Sequence, residues 1–148
     1  MSGRAVALIG PMGAGKTSIG RRLAKHLGLR FVDTDAVIAT EHGAIPHLFT
    51  TVGEGGFRAI ERDVVQRELR TGGVVALGGG AVLDPTTREA LAACTVVLLT
   101  AGIASWRRIA AERDPIYREL ADVTVDTSRR PMTTIAAELA ERLQEEAP

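Results

Sequence analysis

Gly10, Gly15, Lys16 and Thr17 stand at the spacing G-x-x-x-x-G-K-T, with Pro11-Met12-Gly13-Ala14 between them. Glycines let a backbone wrap a tetrahedral anion with no Cβ in the way, so successive N–H groups can point inward. A lysine at this position reaches the outer phosphates of a nucleoside triphosphate, and the hydroxyl beside it is suited to Mg²⁺. Gly13, Ala14, Gly15, Lys16, Thr17 and Ser18 therefore form the expected phosphate cradle. The plainer alternative is a glycine-rich turn with a chance lysine. Four defining positions and both flanking elements argue against it. The loop alone does not separate a kinase from a GTPase, a motor or a DNA-dependent ATPase.

Other residues supply chemistry further along the chain. Asp33 and Asp35 flank Thr34, and in an extended segment their side chains would share a face. One carboxylate could help hold Mg²⁺ while the other orients and deprotonates a hydroxyl. Read blandly, the pair is a loop carboxylate plus a helix N-cap, a part Asp35 could play. Arg58 could grip an acceptor carboxylate bidentately, with Glu61 three residues on to fix its rotamer. Alone it would be a solvated helix arginine. Gly78-Gly79-Gly80 offers backbone N–H groups and close approach to a ligand, or is simply a flexible turn.

The elements that must position these groups follow from hydrophobic period. Ala5 to Ile9 is a continuous apolar run ending in glycine, as in a strand covered on both faces. A helix is expected from Lys16 to about His26, with Ile19, Leu23 and Leu27 inward, and Gly28 stops it. Leu29 to Val32 makes a second strand. Residues 36–70 read as helical pieces: the first breaks at Gly43, and a longer one runs from about Glu54 to Leu69. Val74–Leu77, Thr95–Leu99 and Val123–Val125 are three more strands, with a short helix after Asp84-Pro85 and a closing helix from Thr133 to Leu143. Five short strands alternating with helices predict a three-layer α/β/α fold around a parallel sheet, with ligands gathered at the carboxyl ends of the strands.

Composition narrows the function classes. A chain of 148 residues suits one domain, and eighteen basic residues balance eighteen acidic ones. With zero net charge, 3% aromatic residues and no basic stripe, nucleic acid is a poor partner. No apolar run is long enough to span a membrane and no signal-peptide pattern is present, so the cytoplasm is expected. Cys94, the one cysteine, borders an apolar run and reads as a core residue. His26, His42 and His47 show no metal-ligand spacing with it.

Together the motifs resemble the shikimate kinase family. The resemblance rests on Gly10–Thr17, Asp33-Thr34-Asp35, Gly53 to Glu61, Gly78 to Val82, Arg113-Asp114-Pro115-Ile116-Tyr117 and Val125-Asp126-Thr127, and so covers nearly the whole chain. It implies a small, monomeric P-loop kinase that transfers the ATP γ-phosphate to the 3-hydroxyl of shikimate, with Mg²⁺, in aromatic amino acid biosynthesis. By the resemblance Lys16 and Asp35 are catalytic, Asp35 also holding the shikimate hydroxyls as base. Asp33 and Thr17 help hold Mg²⁺. Arg58 and Arg113 clamp the shikimate carboxylate, Gly79 and Gly80 contact the ring through their backbone, and Arg130 lies against adenine.

The pattern breaks in one place. The family carries a mobile lid before the position of Arg113, with an arginine, usually in Arg-Pro-Leu-Leu, that meets the transferring phosphate. Here Thr100-Ala101-Gly102-Ile103-Ala104 runs into Ser105-Trp106-Arg107-Arg108-Ile109, with the junction near Ala104–Ser105. A lid left out, deleted or naturally absent would each leave this junction; omission accords best with a mobile segment. Without that arginine the chain is expected to bind both substrates and transfer phosphate slowly. Two rivals remain at this level. One is a gluconate-kinase-like enzyme on the same fold, separable by comparing acceptors. The other is a non-catalytic nucleotide-binding module, which would bind no shikimate.

Overall fold

The computed structural model describes residues 4–11, 13–100 and 113–146; the junction expected near Ala104–Ser105 lies outside them. The first strand, β1 (Val6–Ile9), is buried at all four positions. Its side chains alternate with the period of a strand. Ala7 and Ile9 face a core with Val65, Leu69, Leu91 and Tyr117. Val6 and Leu8 face a second core with Ile19, Leu23, Ile135 and Leu139. A strand apolar on both faces needs helices on both sides, and the chain supplies them.

Helix α1 (Lys16–Leu27) covers the second of these faces together with the closing helix, which is longer than its periodicity predicts and spans Met132–Glu146. Gly28 ends α1 in the left-handed region at φ 68°. The Gly28 and Leu29 N–H groups turn back to Lys25 O and Ala24 O. That closing turn uses residues the sequence reading assigned to a strand. Hence β2 begins later, at Phe31, and spans Phe31–Asp33.

Helix α2 (Thr34–His42) follows at once. Helix α3 (Ile45–Thr71) has one non-helical residue, Gly53, at φ 73° and ψ 176°. The portion after that break matches the expected long helix, and the turns from Ile45 to Val52 fall in the stretch read as helical pieces without bounds of their own. The strands β3 (Val74–Ala76), β4 (Thr95–Thr100) and β5 (Val123–Asp126) complete the sheet. Helix α4 (Pro85–Leu91) starts on Asp84, whose carboxylate accepts from the Thr86 and Thr87 N–H groups. Helix α5 (Asp114–Leu120), with Pro115 in its first turn, was not foreseen from periodicity. The closing helix is α6.

All five strands are parallel in the order β2-β3-β1-β4-β5, with Val6 opposite both Val74 and Thr95. Neighbours of β1 on its two sides are reached in opposite directions along the sheet. A crevice therefore opens beyond its carboxyl end. The expected three-layer α/β/α fold is the observed one. No described helix is long and apolar enough to cross a membrane. Cys94 is buried in the first core, as expected.

Candidate active site

The glycine loop leaves β1 into that crevice. Gly10 lies at φ 138°, and a Cβ there would run into the carbonyl oxygen of Leu99 on the neighbouring strand. Gly15 is the N-cap of α1 at φ 87°, makes no side-chain cap, and no acidic residue lies in the first turn. The first-turn N–H groups and the positive end of the helix dipole are thus left to an anion. Lys16 Nζ donates to Gly10 O at 2.5 Å and Pro11 O at 3.1 Å, which arches the ammonium over the loop. Burial draws its pKa down to about 8, against the opposing pull of Asp35 and Asp33.

Asp33 closes β2 and serves two neighbours. Its Oδ1 accepts from the Asp35 N–H at 2.9 Å, and its Oδ2 accepts from the Thr17 hydroxyl at 3.1 Å. The N-cap of α2 is therefore Asp33, not Asp35. Because α2 starts at Thr34, directly after β2, the two aspartates do not share one extended segment as expected. Asp35 sits in the first helical turn instead, and that turn still brings both carboxylates to the same cleft. Burial raises the Asp35 pKa above the usual aspartate value, and the charge on Asp33 raises it further. Lys16 and Arg58 oppose that rise.

One cleft of about 400 Å³ is lined by Gly13, Lys16, Thr17, Asp33, Asp35 and Gly79, among others. Gly78 closes it beside Asp35: a Cβ there would lie 2.7 Å from Asp35 Oδ1. A Cβ on Gly80 would lie 2.6 Å from an Arg58 nitrogen. The triple glycine is therefore a place of close approach, not a plain turn. Arg58 Nη1 donates to Glu61 Oε1 at 2.7 Å, and the guanidinium lies 5.4 Å from the Phe57 ring centroid. Phe57 in turn stacks on Phe49. Glu61 is only 3% exposed, and burial raises its pKa although Arg58 pulls it down. The rotamer lock expected between Arg58 and Glu61 is present.

Arg113, the residue before α5, lies beside the Tyr117 phenol and acts electrostatically on Lys16. Arg130 is apart from the cleft lining; its guanidinium pairs with Glu138 on the exposed face of α6. Its segment nevertheless runs past the glycine loop. The Thr127 hydroxyl is within hydrogen-bond reach of both Ala14 O, at 2.8 Å, and Thr100 O, at 2.9 Å. Sequence reasoning missed this brace. A lone threonine after a strand carries no signal until the fold brings it to the loop.

The arrangement suits Mg²⁺ held with a nucleotide. Thr17 and Asp33 present two adjoining oxygens next to the cradle, and no group of three or more acidic, histidine or cysteine ligands occurs among the described residues. Mg²⁺ is commonly held this way, by few protein oxygens together with phosphates and water.

Comparison with known proteins agrees with the geometry. The family model for shikimate kinase matches residues 12–110. A shikimate kinase of Halorhodospira halophila is 42% identical over 164 aligned positions, covering 94% of this chain and 93% of that protein. One from Mycobacterium avium is 43% identical over 160 positions, covering 92% and 91%. The structure of Acinetobacter baumannii shikimate kinase in complex with shikimate superposes with a TM-score of 0.86 at 34% identity, covering 98% of this chain and 96% of that one. The alignments are longer than the 148 residues of the chain, so these relatives carry residues for which it has no counterpart. With a phosphate loop, an aspartate pair and two arginines set around one crevice, the chain belongs to the shikimate kinase family.

Proposed function

We propose that this protein is a shikimate kinase, transferring the γ-phosphate of ATP to the 3-hydroxyl of shikimate. The cleft that joins the phosphate loop to Asp35 and to the triple glycine carries this reading, because it sets a phosphate cradle and a general base into one space. The backbone N–H groups of Gly13 to Ser18 hold the phosphate chain, and Lys16 places its ammonium against the β- and γ-phosphates. Thr17 and Asp33 hold Mg²⁺, which when bound draws charge from the phosphate oxygens. Asp35 takes the proton of the 3-hydroxyl. The freed oxygen forms a bond to the γ-phosphorus as the bond to the β-phosphate oxygen breaks, leaving ADP and a phosphate ester.

Arg58 and Arg113 grip the shikimate carboxylate, and the Gly79 and Gly80 backbone contacts the ring. Arg130 lies over adenine, which requires it to exchange its contact with Glu138. The unit is one domain acting as a monomer in the cytoplasm, and it lacks the lid arginine near residues 104–105. Support for the last point is the excess length of the alignments.

Coupled assay of ADP release with shikimate and with gluconate as acceptors tests the proposal. Turnover with shikimate at least a hundredfold above that with gluconate is expected. Equal rates, or ADP release indifferent to either acceptor, would overturn it.

A further inference from the structure

Tyr117 has no part in the chemistry above, yet it is wholly buried and its hydroxyl donates to Gly79 O at 2.6 Å. The same phenol lies beside Arg113, whose charge offsets part of the pKa rise that burial causes. The ring itself packs in the core with Ile9, Leu98 and Val82, so its position is set by the sheet. One side chain anchored in the core thus touches both the triple glycine and the second arginine.

A peptide unit is planar and trans, so its C=O and N–H point in opposite directions. Holding the Gly79 carbonyl toward Tyr117 turns the Gly80 N–H away from it, and Gly80 is the residue that packs on Arg58. Arg58 is braced from its other side by Glu61. Arg113 has no comparable buried carboxylate among its described neighbours. Its acidic neighbour in sequence, Asp114, is engaged by Arg118 at 2.9 Å.

We propose that Tyr117 is a positioning residue for acceptor binding, setting Arg113 and the Gly79–Gly80 peptide in register so that both meet one substrate carboxylate and ring. This rests on the reading of Arg113 as a carboxylate clamp. It separates Tyr117 from an ordinary core residue, because the hydroxyl acts on the acceptor and not on ATP.

The test compares Y117F, R113A and the double variant by steady-state kinetics with thermal melts. Y117F keeps the ring in the core, and its KM for shikimate is expected to rise about five- to twentyfold, with the KM for ATP within twofold. In the R113A background the same change is expected to add a smaller rise than in the wild type, since one of the two groups it sets is gone and only the Gly79–Gly80 peptide remains. A lowered melting temperature with an unchanged KM for shikimate would make Tyr117 merely structural and overturn the proposal. Should Y117F not fold, p-aminophenylalanine at position 117 keeps a donor to Gly79 but presents no oxygen to Arg113, and the KM rise must then appear there; its absence overturns the proposal. An unchanged KM in R113A would instead remove the clamp reading itself. A rise in R113A without one in Y117F would remove only the role of Tyr117.

Discussion

Asp35 and Lys16 are half-buried ions of opposite sign whose environments push their pKa values toward each other. Burial lifts the carboxyl above 3.8 and draws the ammonium from 10.5 to about 8. Catalysis by proton removal needs Asp35 ionised, and phosphate binding needs Lys16 charged. The pH profile of kcat/KM for ATP is therefore expected to be bell-shaped. Its acid limb lies above the ordinary aspartate value and its alkaline limb near pH 8. D35N should abolish the acid limb and lower kcat by roughly a hundred- to ten-thousandfold. The same variant should melt at a higher temperature at neutral pH. A carboxyl whose folded pKa is raised contributes stability below the unfolded value, and loses it as pH rises through the folded value. At neutral pH the wild type carries that loss and the asparagine does not. Melts of both proteins at pH 4 and pH 7.5 check the sign: the gap should be larger at pH 7.5.

At the level of elements, α3 holds the clearest test. Gly53 sits at φ 73° with no atom within 4 Å of where a Cβ would lie. G53A thus adds no clash and tests conformation alone. An alanine at positive φ with extended ψ, a conformation essentially confined to glycine, costs about 1–3 kcal/mol. A domain of this size then loses roughly 2–12 °C in Tm, measurable by calorimetry, and a gain in Tm would show that the break is unneeded. The strands, α1 and the portion of α3 after Gly53 were legible in the sequence because their apolar period is strong. The turns from Ile45 to Val52 read as helical but without bounds, since Phe49 and Val52 remain exposed there and blur the pattern. The capping role of Asp33 was hidden for a different reason. It depends on α2 starting at Thr34, directly after β2, which no apolar period announces. At the site, the loop could be read from spacing and the Arg58–Glu61 lock from helical period, whereas Asp35 reaches the cleft on a helical turn and not on the extended segment its spacing suggested. Arg113 stood out only through family resemblance, and Thr127 and Tyr117 act through partners distant in sequence, Thr127 from 113 residues away.

At the scale of the whole molecule, the sheet order places the glycine loop, Asp33 and the triple glycine at adjacent strand ends. On the function proposed above, binding needs no group outside the described residues. Phosphoryl transfer does, because an arginine at the transferring phosphate is commonly worth about a thousandfold or more. The chain is expected to bind ATP and shikimate yet turn over on the order of a thousandfold more slowly than the Halorhodospira halophila relative assayed alongside it. Parity between the two would show that another group in this chain supplies the missing charge.

Tyr117 is also the sole tyrosine of the chain. Biosynthetic labelling with 3-fluorotyrosine would therefore place a single fluorine nucleus beside the Gly79 carbonyl and Arg113. Its resonance needs no assignment. Acceptor and nucleotide could be titrated separately against one line in a ¹⁹F spectrum, and the order in which the two substrates reach the protein read directly from when that line moves.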